Sequence, residues 1–142
     1  MDEGCVLVGT DFSPGSAAAL EEARRLAELL GCGVRVVHVV ESGSSQTWRP
    51  SSAARGWLDE AAMDEDALDV RFGSAWAELA RYADRCRPAL LVVGSHGSSG
   101  YQPLSVGTTA ERLTLHARHS VLLVGPRHSA IRRTAEAVAG RA

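Results

Sequence analysis

Leu90-Leu91-Val92-Val93-Gly94-Ser95-His96-Gly97, nine further residues, then Gly107-Thr108-Thr109-Ala110-Glu111: this stretch decides how the 142-residue chain is read. The run Leu90 to Val93 is the most apolar in the chain and reads as a central strand covered on both faces. Glycines follow it directly, and a helical pattern opens at Thr108, where Thr108 and Glu111 fit a capping box. Glycine lets backbone N–H groups approach a ligand with no side chain in the way. The first turn of a helix aims its unpaired amides at the same spot. Together they form an anion cradle, best read as a site for the phosphates of a nucleotide.

Working outward, the same alternation of strand and helix fills the chain. Cys5 to Gly9 is a short apolar strand. Ser13 is a helix N-cap with Pro14 at the first helical position, Leu20, Ala23, Leu26, Ala27 and Leu30 share a helical face, and Gly31 supplies the stop. Val34 to Val40 is a second strand rich in β-branched residues, followed by a Ser/Gly/Pro-rich loop over 41–52. A short helix is expected over 53–63, a third strand over Leu68 to Phe72, and a helix capped by Ser74 that carries Trp76, Leu79, Ala80 and Ala83 on one face. Pro88 ends that helix. Ala110, Leu113 and Ala117 carry the next one, and Val121 to Val124 is the last strand. The expected fold class is α/β, a doubly wound five-stranded parallel sheet of Rossmann-like type. In such sheets ligands sit beyond the carboxyl ends of the strands, where the strand order reverses. If the first and fourth strands are neighbours there, Gly9-Thr10-Asp11 and the turn from Gly94 onward face one crevice.

The expected domain spans 1–126, and residues 127–142 are expected to form a mobile tail with at most a short helix. A hydrophobic content of 45% and a charged content of 23% are ordinary for a globular chain. The net charge of −2 and the lack of a basic run argue against a nucleic-acid partner, and no apolar stretch reaches membrane-spanning length. The start Met1-Asp2-Glu3 is wrongly charged for a signal peptide, so a cytoplasmic chain is expected. Cys5, Cys32 and Cys86 lie far apart without Cys-x-x-Cys spacing, and the five histidines show no metal-ligand spacing, so neither a disulfide framework nor a zinc site is expected. All 15 basic side chains of the Lys/Arg class are arginine, so a Walker-type lysine is ruled out.

Gly9-Thr10-Asp11-Phe12-Ser13, His38-Val39-Val40 closing the second strand, and Gly94-x-x-Gly97-x9-Gly107-Thr108 resemble, in order and spacing, the universal stress protein family over residues 4–124. The glycine pattern is that of the family's ATP-binding branch. The resemblance implies an adenine nucleotide alpha hydrolase-like fold, ATP as ligand, and no catalytic residue. By position it implies that Asp11 bonds the ribose or adenosine end, with Thr10 also among the nucleotide-binding residues, that Val39 meets adenine through its backbone, and that Val93 lines the adenine pocket. It places Gly94, Gly97, Gly107, Thr108 and Thr109 around ribose and phosphates. Two departures stand out: Ser98 occupies a position where an arginine is frequent in the family, and the helix after the second strand is short.

Each candidate also has a structural reading: Asp11 suits an Asx turn, Thr108 a helix cap, and Trp57 and Trp76 core or crevice walls. Trp48, in the loop, is the aromatic to test as an adenine cover. Glu111 works against phosphate from one turn away. With no lysine available, Mg2+ is expected to offset the triphosphate charge. The leading expectation is a non-enzymatic, ATP-binding regulator of stress response, a homodimer through the edge strand Val121, Leu122, Leu123 and Val124 whose occupancy is read by an unnamed protein partner. The alternatives are a slow ATPase and a dimeric interaction module that no longer binds nucleotide.

Overall fold

The computed structural model describes residues 4–41, 46–96 and 107–125. In chain order they form β1 (Val6–Thr10), α1 (Pro14–Leu30), β2 (Val34–Val40), α2 (Ser52–Glu60), a 3-10 turn (Glu65–Ala67), β3 (Leu68–Phe72), α3 (Ala75–Cys86), β4 (Leu90–Gly94), α4 (Thr108–His116) and β5 (Val121–Val124). The five strands make one parallel sheet in the order β3-β2-β1-β4-β5. The chain builds outward from β1 to β3, then returns to the other side of β1 for β4 and β5. The reversal falls between β1 and β4, which pair through Val6 with Leu90 and Val8 with Val92.

The pleat sends successive residues of β1 to opposite layers. Val6 and Val8 pack with Ala18, Ala19, Ala23 and Ala27 of α1, while Cys5 and Leu7 pack with Leu79, Tyr82 and Ala83 of α3 and Leu113 of α4. Both faces of the strand are therefore covered, as its unbroken apolar sequence requires. The alanine stripe lets α1 lie close over the middle of the sheet.

Helix α1 begins and ends as its sequence dictates. Ser13 is the N-cap and its Oγ accepts the Ser16 N–H at 3.2 Å; Gly31 closes the helix in the left-handed region at φ 70°. Helix α2 is shorter than expected and stops at Glu60. The Met63 N–H donates to Leu58 O at 3.0 Å and the Ala62 N–H to Asp59 O at 3.1 Å, a Schellman closure with Ala62 at φ 51° where glycine is usual.

Two expected caps are corrected. Ser74 holds the N-cap position of α3, but its side chain makes no capping bond; the carboxylate of Glu41, from the end of β2, accepts the Ala75 N–H at 2.9 Å instead. Thr108 is the first residue of α4, not its cap. The cap is Gly107, which has no side chain to fold back on the first turn, so the capping box does not form. The expected tail 127–142, with Pro126, lies outside the described residues, and none of the described helices is long and apolar enough to cross a membrane.

Candidate functional site

The turn after β1 is held by its own side chains. Thr10 Oγ1 accepts the Phe12 N–H at 2.9 Å and donates to Ser16 Oγ at 2.9 Å, and Ser16 Oγ donates to Ser13 O at 2.9 Å. Asp11 Oδ1 accepts the Ser13 N–H at 3.0 Å, the Asx turn foreseen for it. The tight reversal leaves Phe12 at φ 62°, an uncommon conformation for a residue with a Cβ, of the kind that concentrates at functional turns.

The turn after β4 lies directly beside it. A Cβ on Gly94 would come within 3.0 Å of the Gly15 backbone, and one on Gly15 within 2.7 Å of the His96 carbonyl oxygen. The two turns interlock through glycine at both positions, because any other residue would push α1 and the β4 turn apart. The Gly107 N–H donates to Ser95 O at 2.7 Å, which pins the start of α4 to this turn.

Between the turns, α3 and α4 lies a cleft of about 450 Å³. Of the residues foreseen as ligand contacts, Thr10, Asp11, Val39, Val93, Gly94, Gly107, Thr108 and Thr109 all line it; Gly97, like Ser98, lies outside the described residues. The cleft has two halves. Val37, Val39, Leu79 and Val93, all buried, belong to the core between the sheet and α3, and give an apolar wall. The opposite wall is polar: Thr10, Asp11, Ser13 and Ser16 from one turn, Gly94 and His96 from the other, and the first turn of α4. Such a division suits a ligand with a flat apolar group at one end and an anion at the other.

Sequence reading missed several of the lining residues. Glu41 closes the cleft at the end of β2 and is fixed there by Ala75, 34 residues away; its place directly after the strand is the signal that was available. His38 lines the cleft with Nδ1 2.8 Å from Thr10 O, so that nitrogen carries the proton and donates. Ser16 also reaches the cleft with no local pattern to mark it, as does Leu79 from the foreseen apolar face of α3.

The aromatic residues divide differently from expectation. Trp57 is buried and its Nε1–H donates to Ser13 O at 3.1 Å, the wall role expected of it. Trp76 is half-buried beside His116, with ring centroids 5.2 Å apart and the Arg112 guanidinium 5.7 Å from its own. Trp48 does not line the cleft. Its ring stacks on Phe12 at 5.8 Å and 11° and meets His38 at 5.4 Å, outside the cleft wall, so it is corrected from adenine cover to part of an aromatic group that braces the β1 turn.

A model of the universal stress protein family matches residues 5–125. The chain belongs to the universal stress protein family. A curated universal stress protein of Mycolicibacterium smegmatis is 28% identical over 140 residues, covering 86% of this chain and 46% of its own length. The chain thus spans about half the length of the curated relative it matches. Among solved structures, a universal stress protein in complex with cAMP superposes with a TM-score of 0.64 at 23% identity, covering 89% of this chain and 99% of that one. A universal stress protein of Pseudomonas aeruginosa superposes at 0.69 with 22% identity, covering 87% of this chain and 48% of that one, and UspA of Lactobacillus plantarum at 0.64 with 20% identity, covering 87% and 99%. These likenesses establish the universal stress protein fold, the α/β sheet foreseen from the sequence.

The donor set suits a nucleotide. Backbone amides of the first turn of α4 and the hydroxyls of Thr108 and Thr109 are groups that hold phosphate oxygens, and the apolar wall suits a base. No group of three His, Cys, Asp or Glu side chains placed to hold a metal ion occurs among the described residues.

Proposed function

We propose that this universal stress protein is a non-enzymatic, ATP-binding regulator of stress response that takes the nucleotide with Mg2+. One observation carries the reading: the Thr10-Asp11 turn and the start of α4 at its Gly107 cap converge on one cleft at the sheet's reversal point. Adenine would lie against Val39, Val93 and Leu79, ribose near Asp11, and phosphates at Gly94, Gly107, Thr108 and Thr109. Mg2+ would offset phosphate charge. The structure of a relative with cAMP supports a nucleotide of this class.

Energetics decide what the cradle must provide. Micromolar affinity needs about −8 kcal/mol. A helix terminus contributes ~2 kcal/mol at most. The remainder falls to several amide bonds to charged oxygens, each roughly 1.5–3 kcal/mol before ordering costs. Phosphoryl transfer asks for a cationic stabiliser and an aligned acceptor. None of the described lining residues is an arginine.

By the same reading the protein is cytoplasmic and forms a homodimer along Val121, Leu122, Leu123 and Val124, since β5 is the last strand of the sheet among the described residues and a strand edge recruits another. Sedimentation at tens of micromolar that finds monomer alone overturns that seam. For the ligand, thermal unfolding with ATP, ADP, AMP and GTP, with and without Mg2+, is the test. Ligand at 100 times its Kd adds about 2.7 kcal/mol. An adenine-selective shift that Gly107→Val abolishes is the expected result. No shift at millimolar nucleotide leaves the interaction module, and phosphate release faster than about one turnover per minute favours the slow ATPase.

A further inference from the structure

We infer that Glu41 reads the base: its carboxylate selects a purine that presents an exocyclic amine and turns away one that presents a carbonyl oxygen at the same place. The inference rests on the nucleotide reading above and names the residue that sets base specificity. Three neighbouring strands, in the order β2-β1-β4, carry the cleft across the sheet. Gly94 ends β4 and Gly107 caps α4 on one side, the Thr10-Asp11 turn closes β1 in the middle, and Glu41 directly follows β2 on the other side. Adjacent strands lie ~4.8 Å apart, so the end of β2 stands about 10 Å from the end of β4. A nucleotide with its phosphates at α4 and its ribose over β1 therefore sets its base at β2.

The side chain is also on the matching face. Val37 and Val39 pack in the layer of Leu79 and Val93, and Glu41 continues their alternation past the end of the strand. Its carboxylate accepts the Ala75 N–H at 2.9 Å, and both Glu41 and Ala75 line the cleft. The carboxylate is thus anchored at the rim of the apolar wall, where the polar edge of a base lying on that wall emerges. A carboxylate only accepts hydrogen bonds, and its two oxygens have capacity beyond the single bond to Ala75. An exocyclic N–H2 meets that demand, whereas a carbonyl oxygen sets one lone pair against another. The same pairing of carboxylate with exocyclic amine reads bases in nucleic acids. Glu41 is exposed, so the lower end of the range applies: one hydrogen bond to a carboxylate changes affinity by about tenfold.

Calorimetric titration of the full chain with ATP and ITP in excess Mg2+ tests this, because the two differ in an amine against a carbonyl on the same ring carbon. ATP should bind about tenfold more tightly. Glu41→Gln keeps an oxygen, which the Ala75 N–H selects, and so turns the amide N–H2 towards the cleft. The preference should then fall to parity or reverse. Glu41→Ala, with neither donor nor acceptor, should abolish it without reversal. A merely structural role would weaken both nucleotides together and leave their ratio unchanged. Equal binding of ATP and ITP by the wild type, or a ratio unmoved in Glu41→Gln, overturns the inference alone. So does a loss of affinity for 2′-deoxy-ATP that Glu41→Gln removes, which would place the ribose at Glu41. Failure of both ATP and ITP to bind the wild type overturns it together with the nucleotide reading.

Discussion

Replacing Gly15 with alanine is expected to lower the melting temperature by about 3–8 °C and to weaken nucleotide binding. The new Cβ would lie 2.7 Å from the carbonyl oxygen of His96, a backbone atom that cannot rotate away. Overpacking of this kind typically costs 1–3 kcal/mol. The same change removes the entropy of a glycine and improves helix propensity, which returns at most ~1 kcal/mol and less in a first helical turn. The net cost is about 1–2 kcal/mol. For a chain of this size each kcal/mol moves the midpoint by about 3–4 °C. Gly56→Ala is the matched control. It lies in the exposed interior of α2 with nothing within 4 Å of its would-be Cβ, so it should gain about 0.5–1 kcal/mol and melt slightly higher. Circular dichroism melts of both variants, each followed by an ATP and AMP titration, separate the two effects. A Gly15→Ala protein that melts with wild type and binds nucleotide unchanged would refute the interlock of the two turns.

Trp57→Phe should cost about 1–2 kcal/mol in a denaturant titration, because it removes the indole N–H that Ser13 O accepts in a buried place. Ala62→Gly should raise the melting temperature by about 1–3 °C, since it relieves a left-handed residue at the end of α2. Burial beside Cys5 pushes the Cys86 thiol up from 9.0 to about 11, and burial with a bond to Asp69 raises Tyr82 above 10.0. Both groups hold their protons longer folded than unfolded, so stability is intact below pH 9 and falls as pH rises from 9 towards 11. Melting temperatures at half-unit steps over that range should decline, and Cys86→Ala should make the decline shallower.

The order of elements was legible because the punctuation is local. Ser13-Pro14 and Gly31 bound α1 by caps that work within one turn, and the apolar runs of β1 and β4 declare two-sided burial. The cleft was legible to the extent that glycine spacing marks backbone that must come close to something. What escaped depends on partners distant in sequence. Glu41 caps α3 across 34 residues, so the serine next to the helix looked like the better cap. Gly94 was assigned to the ligand, yet its nearest constraint is Gly15, which carried no sign of its role. Thr108 and Glu111 match a capping pattern, but the bond from Gly107 to Ser95 settles where α4 starts. Trp48 was placed by its loop, whereas its position is decided by the face of Phe12.

Ser95 stands between two parts of the molecule. Its carbonyl takes the Gly107 N–H that positions the start of α4, and its own N–H donates to Val124 O on β5 at 2.9 Å. Two peptide groups in series thus tether the mouth of the cleft to the outermost strand. If a second copy docks along that strand, filling the cleft and pairing become linked equilibria. Whatever factor the ligand adds to association, association must return to the ligand. A sensor built this way would report metabolite level as subunit count.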